Sequence, residues 1–196
     1  LQTHNLGCVK KLLKTDELEL PAMKLTAKLD KKNNLYAAEA QLHESDGSVI
    51  VNGKADVEKM TYEARADINE MKVDHFFPRD SVHSLSGGIE IKGKGTDFLS
   101  PKTSLSAKAN LEDLQYKKWT LNNVEMSANL HKGTGTIDFM SDKELLKIHA
   151  CTEAKINRKI SEANFSLNLN HIDLYALNLS RDTLSASMIM KMDGST

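Results

Sequence analysis

From Met23 onward the chain alternates apolar and polar residues with period two, one short segment after another. Met23, Leu25, Ala27 and Leu29 are followed by Tyr36, Ala38, Ala40 and Leu42, then by Val49, Val51, Gly53, Ala55 and Val57, then by Met60, Tyr62, Ala64, Ala66 and Ile68. The pattern resumes at Leu105, Ala107, Ala109 and Leu111, at Val124, Met126, Ala128 and Leu130, and at Leu146, Ile148, Ala150, Thr152, Ala154 and Ile156. Lys, Glu, Asp, Asn, Ser and Thr fill most positions between. Successive side chains of a strand point to opposite faces, so each segment reads as a strand with one greasy face and one wet face. The segmentation predicts strands at 18–29, 34–44, 48–57, 59–69, 85–95, 103–111, 119–131, 134–141, 145–157, 162–172 and 184–192. Turn signals fall between them at Lys32-Asn33-Asn34, Ser45-Asp46-Gly47-Ser48, Lys132-Gly133 and Asn157-Arg158-Lys159. Strands joined by connections this short form an antiparallel meander. The expected class is therefore all-β.

Two segments interrupt the alternation. Val73-Asp74-His75-Phe76-Phe77-Pro78 and Ile172-Asp173-Leu174-Tyr175-Ala176-Leu177 are bulky, and each leads to an Arg-Asp pair, at Arg79 and Arg181, and a new strand. Aligning the two Arg-Asp pairs gives an internal repeat of about 102 positions. Short helical turns are expected at 74–78 and 173–178, packing their bulky residues over an end or edge of the sheet. A third short helix is expected near 8–14, from Val9, Leu12 and Leu13. The resulting organisation is an irregular or briefly helical lead-in at 1–17, a first β-repeat at 18–83, a second at 84–183 and the start of a next one at 184–196. With Leu1 in place of a Met and no leader visible, the chain reads as an internal piece of a longer protein.

Composition narrows the function classes. The 196 residues are 27% charged with a formal net charge of −1, which offers neither the basic stripe of a nucleic-acid binder nor a polybasic membrane signal. No apolar run is long enough to cross a bilayer as a helix. Aromatics are 5% with a single Trp119, which suits a thin or open core. Cys8 and Cys151 leave two free thiols or one disulfide open, and neither makes a disulfide scaffold. Cys151 lies two positions from His149 on the polar parity, without a third metal ligand in view.

Signatures of catalysis are missing. Gly93-Lys94-Gly95 and Gly133-Thr134-Gly135 lie within strand-like alternation rather than before a helix, so they mark bends and not phosphate cradles. The seven histidines show no metal spacing, and no serine or cysteine sits in a nucleophile motif. The expectation is a protein that is not an enzyme and uses no cofactor. Met188, Met190 and Met192 share one parity and could serve as core filler or as a pliant apolar surface.

Parity assigns Leu25, Ala27, Ala38, Ala40, Val51, Ala64, Ala66, Ala107, Ala109, Met126, Ala128, Ile148, Ala150 and Leu167 to one continuous concave face, the candidate lining of an apolar groove. Alanines at mid-strand leave room above a sheet, whereas a filled sandwich core needs large residues there.

Several stretches carry a family resemblance: Gly93-Lys94-Gly95-Thr96-Asp97, LNNVEMSANL at 121–130, DLYALNLSRDTLSASM at 173–188 and VDHFFPRDSVHSLSG at 73–87. Together they resemble the TamB-like proteins of the AsmA-like group, in the version found in large Bacteroidetes-type envelope proteins, across residues 20–192. That resemblance implies an elongated, U-shaped β-groove in a periplasmic protein held in the inner membrane by a helix outside these residues. It further implies movement of phospholipid between inner and outer membranes, with acyl chains as the bound partner. An Omp85-type outer-membrane barrel is the implied partner of the full-length protein. Three functions compete: a conduit for acyl chains, a scaffold that holds client strands during outer-membrane protein assembly, and a spacer with a closed sandwich core.

Overall fold

A computed structural model describes residues 21–77, 82–117, 119–143, 146–156, 160–175 and 180–195. Eleven strands make up almost all of it: β1 (Met23–Lys32), β2 (Leu35–Glu44), β3 (Gly47–Asp56), β4 (Thr61–Lys72), β5 (Val82–Lys94), β6 (Ser104–Tyr116), β7 (Trp119–His131), β8 (Thr134–Lys143), β9 (Leu146–Ile156), β10 (Ile160–Asp173) and β11 (Ser185–Ser195). Their order in space is their order in sequence, each antiparallel to the next, in one open sheet. The sheet does not close into a barrel: among the described residues β1 and β11 each have a strand on one side only. The turns form where the sequence places residues that tolerate a left-handed backbone: Asn33 (φ 56°) joins β1 to β2, Ser45 (φ 51°) β2 to β3, and Lys132 (φ 50°) with Gly133 (φ 79°) β7 to β8.

Helix is confined, among the described residues, to one 3-10 turn at Val73–His75. The helix expected near 8–14 and the lead-in at 1–17 lie outside the described residues. At 173–178 the described part is a turn, in which the Leu174 N–H donates to the Leu184 carbonyl and the Ser180 N–H to the Leu174 carbonyl.

The strict alternation breaks along one line of the sheet. Apolar residues there are three apart rather than two: Ile68 and Met71 in β4, Leu111 and Leu114 in β6, Leu121 and Val124 in β7. Register shifts absorb the extra residue in the β4–β5 and β5–β6 ladders, while β6 and β7 break parity opposite each other and keep their register; Glu70 (φ 45°) and Asn123 (φ 52°) take left-handed backbone. Gly87 (φ 148°) completes the line in β5, where a Cβ would sit 2.2 Å from the Asn110 carbonyl oxygen. That break is why the alternation in β6 is legible only to Leu111, although the strand runs on to Tyr116.

The corners repeat in structure as well as in sequence. The β4–β5 ladder slips between Ile68 and Met71, and the β10–β11 ladder between Leu169 and Ile172. Met71 pairs with Leu85 and Ile172 with Ala186, so every landmark is displaced by 101 positions. The two connections are equally long, from Lys72 to Ser84 and from Asp173 to Ser185. The Arg-Asp pair stands one position later in the second, which accounts for the longer period read from the sequence.

No second layer packs on this sheet among the described residues, which excludes a closed sandwich there. The chain exposes 13810 Å², where a globular chain of its mass would expose about 9,300 Å². Among the described residues, only Met71, Val124 and Leu130 are buried apolar side chains. Cohesion comes from the ladders and from cross-strand pairs rather than from a core.

Candidate functional site

The register carries one residue of each strand into rows that cross the sheet. The first row reads Ala27, Ala40, Val51, Ala66, Ile89, Ala109, Met126, Phe139, Ala150, Leu167 and Met190. Two positions along each strand, a second row reads Leu29, Ala38, Gly53, Ala64, Ile91, Ala107, Ala128, Ile137, Thr152, Phe165 and Met192. On the other flank a third runs from Leu25 and Leu42 through Val49, Ile68, Gly87, Leu111, Val124, Ser141, Ile148 and Leu169 to Met188. All fourteen residues expected to share a face fall in these three rows. Sequence reasoning missed Ile89 and Ile91 of β5, which join Ala64 and Ala66 to Ala107 and Ala109. Their own spacing was the available signal. It also missed Ile137, Phe139 and Phe165, which make the β8–β10 part of the face bulkier than the alanine-lined part.

The face is large and uncharged. Strand spacing of about 4.8 Å and a rise of about 3.4 Å per residue make it about 48 Å by about 20 Å, on the order of 900 Å². The largest apolar patch of an ordinary monomer is about 300–600 Å². Leu29, Ile137 and Met192 are more than half exposed on it. Shelter is local: Val124 and Ser141, which pair in the third row, are buried, as are Leu130 and Thr103.

One end of the face is strapped at the β4–β5 corner. Glu44, 3% exposed, ends β2 and takes a 2.9 Å hydrogen bond from His75 Nδ1 of the 3-10 turn and one of 2.6 Å from the Ser45 hydroxyl. Burial would push the Glu44 carboxyl up, but the Ser45 and His75 hydrogen bonds and the imidazole charge outweigh it, and the group lies below the usual carboxylate value. On its other side the turn is tied to β5, His83 Nδ1 lying 3.1 Å from Asp74 Oδ2.

The opposite face is a lattice of charge. Lys28, Glu39, Asn52, Arg65, Glu90 and Lys108 stand in one row, Lys54, Glu63 and Lys92 in the next. Arg65 bonds Asp67 at 2.9 Å and Glu90 at 3.3 Å. The Asp67 bond and charge, then Glu90, hold its guanidinium above the usual value, and the same bond holds Asp67 below its own. A recess of about 390 Å³ opens on this face, walled by Lys28, Glu39, Lys54, Arg65 and Lys92 over Asn52 and Gly53.

Cys151 and His149 lie here too, beside Asp138. His149 Nε2 is 3.5 Å from Asp138 Oδ1. The Asp138 hydrogen bond, with burial, pushes the Cys151 thiol up, which disfavours a thiolate nucleophile. No group of three metal-binding side chains occurs among the described residues. Cys8 lies outside them. No helix among the described residues is long and apolar enough to cross a membrane. Gly93 and Gly95 sit at the end of β5, Gly133 and Gly135 at the β7–β8 hairpin, and none opens a helix. The chain matches no family model, and no curated protein or solved structure is significantly similar to it.

Proposed function

We propose that this chain is a β-groove segment of a TamB-like periplasmic protein, and that its apolar face binds phospholipid acyl chains for passage between inner and outer membranes. The observation that carries the reading is the uncovered three-row face, larger than a monomer ordinarily leaves in water. Each methylene taken from water contributes about 0.8 kcal/mol when fully covered. An open face covers one side of a chain, so binding is distributed along the sheet and non-specific, and headgroups stay in solvent. The role is binding rather than catalysis. An inner-membrane anchor and an Omp85-type outer-membrane barrel partner belong to the full-length protein in this reading.

The alternative is a scaffold for outer-membrane protein assembly, favoured by the two sheet edges, β1 and β11, that have no second strand neighbour among the described residues, where an extended client could add as a strand. Native mass spectrometry of the purified chain separates the two. Co-purified phospholipid, displaced by a detergent of matching chain length, supports the first. A lipid-free chain that instead retains an unfolded outer-membrane protein supports the second.

A further inference from the structure

Bulk on the apolar face is divided between its two halves. In the first two rows β2 presents Ala38 and Ala40, and β4 presents Ala64 and Ala66. In the same rows β8 presents Ile137 and Phe139, and β10 presents Phe165 and Leu167. The middle strand of the eleven is β6. On one side β4 and β2 stand as far from it as β8 and β10 do on the other. A two-fold axis laid along β6, just above the face, therefore sets β4 of one copy over β8 of a second, and β2 over β10. Each pair of alanines then meets a pair of large side chains. The match continues where Ala27 of β1 meets Met190 of β11 and Ile91 of β5 meets Ala128 of β7. In these rows only Leu29 with Met192 and Ile89 with Met126 set large on large, and methionine adapts its shape most readily. Large residues facing small ones are what let two layers interdigitate at interior density. Because β2, β4, β8 and β10 each keep one size in both rows, the match survives the crossing angle of about 30° between aligned sheets.

The area suffices for a stable dimer. Covering about 900 Å² on each copy buries about 1,800 Å² in total, where a specific, stable interface takes about 1,200–2,000 Å². No charged side chain stands in the three rows, so none loses its water when two copies meet. The third row is bulky on both sides of the axis except at Gly87 and Ser141, so closest approach falls over the first two rows. Ile137 and Met192, more than half exposed in one copy, lie inside the contact. A sheet without a second layer of its own thereby gains one.

We propose that the lipid-free chain pairs face to face with a second copy about this axis, as an isologous dimer. The pairing goes beyond acyl-chain binding and does not depend on it. The test is sedimentation equilibrium of the delipidated chain, with circular dichroism as the check on folding. The wild-type chain is a dimer that dissociates on dilution. Ala66→Phe sets two phenylalanines together and Phe139→Ala leaves a gap, and each weakens the dimer by ~10-fold or more. Ala66→Phe combined with Phe139→Ala restores it, because the two sizes are exchanged across the axis. Within one copy these residues stand four strand spacings apart, about 19 Å, so restoration comes only from a second copy. Ala64→Ile with Ile137→Ala repeats the exchange with a smaller change of volume, for use where a phenylalanine variant fails to fold. Dodecylphosphocholine, an acyl-chain mimic, separates the copies if the acyl-chain reading holds. A dimer that persists with it counts against that reading and not against the pairing. The pairing is overturned by a chain that stays monomeric at all concentrations, or by exchanged variants that stay as weak as the single ones. A dimer indifferent to the single variants also overturns it, in favour of contact through the edge of β1 or β11.

Discussion

On the apolar face the row from Ala27 to Met190 crosses eleven strands without a charge. One residue along each strand, on the other face, the row from Lys28 to Lys191 passes through Glu39, Arg65, Glu90, Lys108 and Asp138. The two rows share a backbone and a register but contribute differently to them. The alanines of the apolar row would tolerate sliding, because one small apolar residue replaces another at little cost. The charged row would not, since a slip that keeps the faces would set Lys28 against Ala37 instead of Glu39 and Arg65 against Gly88 instead of Glu90. Alignment is therefore specified in water by the charged face, and the apolar face is left free of polar requirements. That division explains how a sheet without a core keeps one register while presenting a broad surface to hydrocarbon.

The sharpest way to test this contrast is to charge the apolar face at two depths. Val124, 1% exposed, sits where the face is sheltered, and Val124→Asp is expected to cost about 3–5 kcal/mol in urea unfolding. Ala109→Asp and Ala128→Asp lie where water reaches the face. Each is expected to change stability by less than ~1 kcal/mol while abolishing bound phospholipid. If all three collapse alike, the face is sealed. Gly87→Ala comes next, at about 1–3 kcal/mol, because the new Cβ meets Asn110 and the bulge line across the sheet must reorganise. Thermal unfolding measures it, and an unchanged midpoint would show that the line is not held there.

Glu44→Gln is expected to cost about 1–2 kcal/mol by loosening the strap at the β4–β5 corner. Its folded pKa lies below the ordinary value of 4.5. The ionised group therefore contributes stability above that value and loses it as pH falls through the folded pKa. An acid titration of unfolding should show the wild-type advantage over Glu44→Gln vanish in that window; an advantage that persists below it would contradict the assignment. The smallest effect is reserved for the charged face. Arg65→Ala, at an exposed side chain, should leave both melting and bound lipid unchanged, since exposed ion pairs add little.

Much of this fold is legible in the sequence, because period two is written by local chemistry and each face has one environment. All eleven strands were expected near their places, with β7 matched end to end. What the sequence hides is what happens where two residues serve one position. Glu70, Asn123 and the residues around Gly87 break parity, and a reader following alternation loses β6 beyond Leu111. The extra-long corner connections hide the true repeat, since the Arg-Asp pair drifts by one position within loops of equal length. The fourteen face residues were legible from parity alone. The exposed Phe98 and Leu99 of the β5–β6 loop were not, because only the hydrogen bonds of Asp97 and Thr103 decide which way that loop turns.

The most direct test of the central proposal is a photo-cross-linking scan along β6. A benzoylphenylalanine placed in turn at Ala107, Lys108 and Ala109 reports which face meets phospholipid. If the apolar face carries acyl chains, lipid adducts form at Ala107 and Ala109 and not at Lys108. Adducts at Lys108, or equal labelling at all three positions, would contradict it.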